Sequence, residues 1–145
     1  MDAAALEAAF RATIYRVDTP EGSFDLRIGV TNPVFEDYLR AQGVCCWGVI
    51  TACNPGAVRL SNEENRLRLA ELHDSLGRSG WPFFEACNLA ADGVWPAEPG
   101  YFIHQIDQGR LCALAARFSQ LAVLWGETGA PPRLLWVSGR DAGVT

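Results

Sequence analysis

Apolar positions recur along this chain with two periods, about two residues in strands and about 3.6 in helices, and the switches between them mark out its elements. Residues 2–10, DAAALEAAF, set Leu6 and Phe10 four apart on one helical face, with Asp2 near the start. Residues 12–17, ATIYRV, predict a strand, and Asp18-Thr19-Pro20-Glu21-Gly22 a turn. The next stretch, SFDLRIG, alternates cleanly: Phe24, Leu26 and Ile28 on one face, Ser23, Asp25 and Arg27 on the other. A hairpin is the simplest pairing for these two strands. Asn32-Pro33 then opens a helix whose face is Phe35, Tyr38 and Leu39 and whose stop is Gln42-Gly43.

Residues 47–53, WGVITAC, are apolar without alternation, which predicts a strand covered on both faces. Ser61 and Glu64 form a capping-box pattern at the head of a helix that carries Leu69, Leu72 and Leu76. Strands are expected over 81–90 and 101–106, a turn-rich loop over 91–99 and a helix over 108–119. Residues 121–126 and 133–137 read as two last, neighbouring strands. The interleaving predicts a single α/β or α+β domain with a mixed β-sheet of about six or seven strands, flanked by about three or four helices. Residues 1–11 are expected as an N-terminal helix packed on the main domain, 12–137 as the domain, and 138–145 as a frayed tail.

Composition narrows the chemistry. The chain has 145 residues and a formal net charge of -5, which argues against DNA as a partner. All 12 basic residues are arginine, so lysine Schiff-base chemistry and a P-loop lysine are excluded. Five cysteines, Cys45, Cys46, Cys53, Cys87 and Cys112, lie in apolar segments without a disulfide framework. No apolar run is long enough to span a membrane, and the N-terminal segment lacks a basic region followed by a long apolar run, so a secretory signal is not expected. A cytoplasmic setting is the expectation. His73 and His104 belong to no zinc-ligand spacing, and no cofactor motif is present, so neither metal nor cofactor is expected.

The most informative segment is 50–65, ITACNPGAVRLSNEEN, a buried strand running through a glycine-proline loop into a capped helix. Such junctions gather ligands at helix starts. Asn54, Arg59, Asn62 and Asn65 belong to it, and Arg27 joins them if its strand face is covered. Asn65 continues the stripe of Leu69, Leu72 and Leu76, so its amide needs partners, either a ligand or the preceding loop. Arg66 and Arg68 are expected to point to solvent, with Glu64 and Arg68 as an i,i+4 pair. A second polar region, WPAEPGYF at 95–102, sets Glu98 between prolines beside Trp95 and Tyr101. At the last helix–strand connection either Gln120 or Glu127 belongs to a site, and Trp125 beside Glu127 favours the latter. Cys53 is the best-placed thiol, read first as core.

The order of these stretches resembles a bacterial family catalogued as domain of unknown function 3293. It is carried by FDLRIG followed by Asn32-Pro33, by Thr51-Ala52-Cys53-Asn54-Pro55, by Ser61 to Asn65, by Trp95 to Pro99, and by FSQLAVLWGE at Phe118 to Glu127. Over residues 12–137 the resemblance implies one continuous domain but no reaction. Family members often carry an aromatic or other apolar residue in place of Cys53, which argues against Cys53 as a required nucleophile. They also resemble one another in a Gln followed by Asn or a similar residue, a second polar group that Gln120-Leu121 lacks.

Three functions remain in competition. The first is a binding or regulatory domain that takes a small anionic or nucleotide-like ligand through Arg27, Asn54, Arg59, Asn62, Asn65 and Glu98. The second is an interaction protein that meets a protein partner through Trp81 and Trp95. The third is a metal-independent hydrolase or transferase with Glu98 or Glu127 as general base. Oligomeric state cannot be read from the sequence.

Overall fold

A computed structural model describes residues 2–93 and 95–137. The expected tail, 138–145, lies outside the described residues. Four helices and seven strands follow one another as α1 (Ala3–Ala12), β1 (Ile14–Thr19), β2 (Gly22–Leu26), α2 (Pro33–Gln42), β3 (Cys46–Thr51), α3 (Asn62–Gly77), β4 (Phe83–Leu89), β5 (Glu98–His104), α4 (Gln108–Arg117), β6 (Ala122–Glu127) and β7 (Arg133–Trp136). One turn of 3₁₀ helix, Pro55–Ala57, lies between β3 and α3.

The strands form one sheet in the order β2-β1-β4-β5-β3-β6-β7. Every pairing is antiparallel, where the interleaved helices had suggested a mixed sheet. The reason lies in the crossovers. The connection β3–α3–β4 joins strands of like direction, but β5 inserts between them; β5–α4–β6 does the same around β3. Residues 46–127 therefore trace a β-α-β-β-α-β unit with split βαβ crossovers, an α+β arrangement. The β1–β2 hairpin extends one edge of this unit and β7 the other, which forms one compact domain.

Each helix takes its place from its apolar face. Leu72 and Leu76 of α3 and Leu111, Leu114 and Ala115 of α4 are buried with Ile50, Ile103 and Trp125 on one side of the sheet. Leu111 packs so close to β3 that a Cβ on Gly48 would meet its Cδ atoms at 2.6 and 2.9 Å. On the other side Phe35, Tyr38 and Leu39 of α2 are buried with Trp47, Val49, Phe102 and Leu124. Asn32 caps α2 by accepting from Phe35 N at 3.1 Å, and Gly43 ends it in the left-handed region at φ 69°. Both were legible as sequence signals. Helix α1 covers the remainder of that side and buries none of its residues completely.

Candidate functional site at the end of the central strands

The pairing registers line up side chains in rows on the sheet face that α1 and α2 share. One row is bulky: Phe84, Phe102, Val49, Leu124 and Leu134. The next row toward α1 is small: Ala86, Gly100 and Thr51, and Ala122 lies on the same side of β6. Gly100 tolerates no Cβ, because the Ile50 carbonyl of β3 crowds that position. Beyond it lies a polar row, Tyr15, Asn88 and Glu98. Bulky side chains fill the space under α2. Small ones leave a cleft of about 200 Å³ under α1.

Leu6, Ala9 and Phe10 of α1 form one wall of that cleft, and Val49, Ala122 and Leu124 belong to its sheet side. Its polar lining comes from Tyr15, Thr51, Asn54, Asn88, Asp92, Trp95, Glu98 and Gln120. Apolar walls with a few convergent polar groups are the common make-up of small-molecule sites.

A hydrogen-bonded chain organises the polar end. Asn54 follows β3 in the left-handed region at φ 50°, which asparagine tolerates better than most residues. Its backbone N–H donates to Asn65 Oδ1 at 2.8 Å, and its own Oδ1 accepts from Asn65 Nδ2 at 2.9 Å and Leu60 N at 2.8 Å. Asn65 thus clamps the loop, one of the two roles its place on the leucine stripe allowed. The remaining amide group of Asn54 donates to Glu98 Oε2 at 2.6 Å, and Trp95 Nε1 donates to the same oxygen at 2.9 Å. Glu98 is the first residue of β5, where the sequence had suggested a loop before a strand at 101. Its carboxylate is held from two directions through Oε2, and among the described residues no donor bonds Oε1.

Of the residues singled out from sequence, Asn54, Asn65, Glu98 and Trp95 come together here. Arg27 is exposed just past β2, where its backbone bridges to Val30; Arg59 and Asn62 are exposed, and none of the three lines the cleft. Trp81 is half-buried against the core under α3 and α4. Glu127 pairs with Cys46 at the opposite end of β3, so Gln120 is the residue of that pair that reaches the cleft. Cys53 is buried, its Sγ 3.7 Å from the Pro99 carbonyl oxygen, and burial pushes its thiol pKa up, away from a thiolate nucleophile.

Arg68 departs from the expectation of a solvent-facing side chain. Its guanidinium donates to the Ala52 carbonyl at 2.7 Å and to that of Phe118, tying the ends of β3 and α4 together. Two bare carbonyls outcompete a surface partner, and Glu64 turns back to Ser61 to complete the capping box.

Sequence reasoning missed Tyr15, Asn88 and Asp92. A signal existed for Asn88, a lone amide in the apolar run WPFFEACNLA, but only strand register puts it between Tyr15 and Glu98.

Among the described residues, no group of three His, Cys, Asp or Glu side chains is placed to hold a metal ion. No described helix is long and apolar enough to cross a membrane. Neither a curated protein nor a solved structure matches the chain. A family model does, over residues 50–123, which run from β3 to β6 and include Asn54, Asn65, Trp95, Glu98 and Gln120. By that match the chain belongs to the family described as protein of unknown function, DUF3293.

Proposed function

We propose that the protein is a binding domain that takes a small organic molecule into the cleft between α1 and the sheet. One observation carries this reading. Two polar segments far apart in sequence, around Asn54 and around Glu98, meet at one end of an apolar cleft and hold a carboxylate there. A purely structural network would have no need of a hollow beside it, and packed interiors rarely leave one. The ligand expected from sequence was anionic or nucleotide-like. The lining contains Glu98 and Asp92 and no arginine, so charge favours a ligand with an apolar body and a polar, non-anionic head.

The test is a fragment screen on isotopically labelled protein, read by amide chemical shifts. Fragments of this kind are expected to shift Thr51, Asn88, Glu98, Gln120 and the α1 amides together. A chemically diverse set that leaves those resonances unmoved at millimolar concentration overturns the reading.

A further inference from the structure

Most hydrogen-bond donors in the cleft lining are already spent on the protein itself. The Thr13 hydroxyl donates to the Ala9 carbonyl at 2.8 Å, the Tyr15 hydroxyl to that of Phe10 at 3.3 Å, and the Thr51 hydroxyl to that of Pro99 at 2.7 Å. The Gln120 NH₂ group lies 3.1 Å from the Cys53 carbonyl and 3.4 Å from that of Phe118, an arrangement that fixes which way the amide is turned. Asn54 spends one side-chain N–H on Glu98, and Trp95 spends its indole N–H there. Acceptors remain. Glu98 Oε1 and Gln120 Oε1 have no donor from the described residues, and Asn88 keeps a side-chain amide that can serve either way. Burial raises the Tyr15 pKa well above its ordinary value, so the hydroxyl stays protonated and its hydrogen stays on the Phe10 carbonyl.

From this donor-poor, acceptor-rich lining we infer that the ligand is an amine: a protonated primary amine on an apolar or aromatic body, its ammonium group set against Glu98 Oε1. The inference rests on the binding reading above and names the chemistry of its ligand. An ammonium brings three donors and no acceptor. It therefore matches the unspent acceptors, pairs with the carboxylate and has the Trp95 and Phe10 rings in the same lining. A carboxylate or phosphate head would bring only acceptors and negative charge to a site that already holds both.

The experiment titrates the full chain with three probes of similar body, 2-phenylethylamine, 2-phenylethanol and 3-phenylpropionate, by calorimetry and amide shifts. The amine is expected to bind at least about tenfold more tightly than the alcohol, and the carboxylate most weakly. In Glu98→Gln the amine should fall to within about twofold of the alcohol. Unchanged alcohol affinity in that variant shows that the cleft remains folded. A carboxylate that binds as well as the amine overturns the amine inference and leaves the binding reading standing. So does an amine preference that survives Glu98→Gln. If all three probes leave the cleft resonances unmoved, the binding reading falls and this inference with it.

Discussion

Helices α2 and α1 lie on the same face of the same sheet, yet one seals its half and the other roofs a cleft. Under α2, Phe35 sits 5.2 Å from the Trp47 ring, edge to face, and also packs on Phe24, Tyr38 and Phe102. Packing there is tight enough that the buried Trp47 Nε1 has no hydrogen-bond partner among the described residues. Under α1 the ring contact of the helix among the described residues is Phe10 against Trp136 at the sheet edge, centroids 5.8 Å apart. Propensity does not explain the contrast, since α1 is rich in alanine and capped by Asp2, which accepts from Ala5 N at 2.7 Å. The rows of the sheet do. Rings and branched chains under α2 interlock with it, whereas Ala86, Gly100, Thr51 and Ala122 stop short of α1.

The sharpest way to break this comparison is truncation on both sides. Phe35→Ala should cost about 3–5 kcal/mol, because a buried ring leaves a cavity in a packed region. Leu6→Ala, whose side chain lines a space already open, should cost less than about 1 kcal/mol. Urea denaturation of both variants decides it, and equal losses would mean that α1 is packed like α2.

Enlargement should produce the mirror image. A Cβ on Gly126 would press on the Trp47 ring, 2.6 Å from Cε2 and 2.9 Å from Nε1, so Gly126→Ala should cost about 1–3 kcal/mol. Ala122→Leu, which grows into the cleft, should stay within about 0.5 kcal/mol of the parent protein while it blocks ligand entry. Thermal melts and probe titrations of the two variants check both halves of the statement.

The smallest effect is a pH dependence on the α2 side. His104 is buried, with Nε2 2.8 Å from the Tyr38 hydroxyl, and burial holds its imidazole below the ordinary value of 6.5. The unfolded chain then binds the proton more readily than the native one. Stability from this residue is present above pH 6.5 and is lost as pH falls from there toward the depressed native value. Glu21, from the β1–β2 turn, opposes the shift without cancelling it. His104→Asn should flatten that part of the stability profile, and denaturation midpoints between pH 5 and 8 measure it.

What could be read from sequence follows the same division. Caps and stops announce themselves locally: Asn32-Pro33, Gly43, Ser61 with Glu64, and the stripe from Asn65 to Leu76 all appear in the structure as expected. Asn54, Asn65 and Glu98 were recognisable because polar residues at strand and helix junctions carry a desolvation cost that needs an explanation. Long-range register was not legible. Nothing within the chain near Asn88 says that it faces Tyr15, nor does anything near Glu127 place it a full strand away from Thr51. The direction of the sheet failed for a related reason, since a helix between two strands looks the same whether the strands are neighbours or have a third between them. The cleft is likewise a property of rows that cross five strands, and no single segment encodes it.

Hydrogen exchange of α1 and α2 amides, with and without saturating 2-phenylethylamine, tests the central claim most directly. The account predicts that in the free protein α1 exchanges through openings well below the global unfolding free energy, while α2 is protected to the global limit. The amine should then raise α1 protection about tenfold and leave α2 unchanged. An α1 as protected as α2 in the free protein, or one indifferent to the amine, would contradict it.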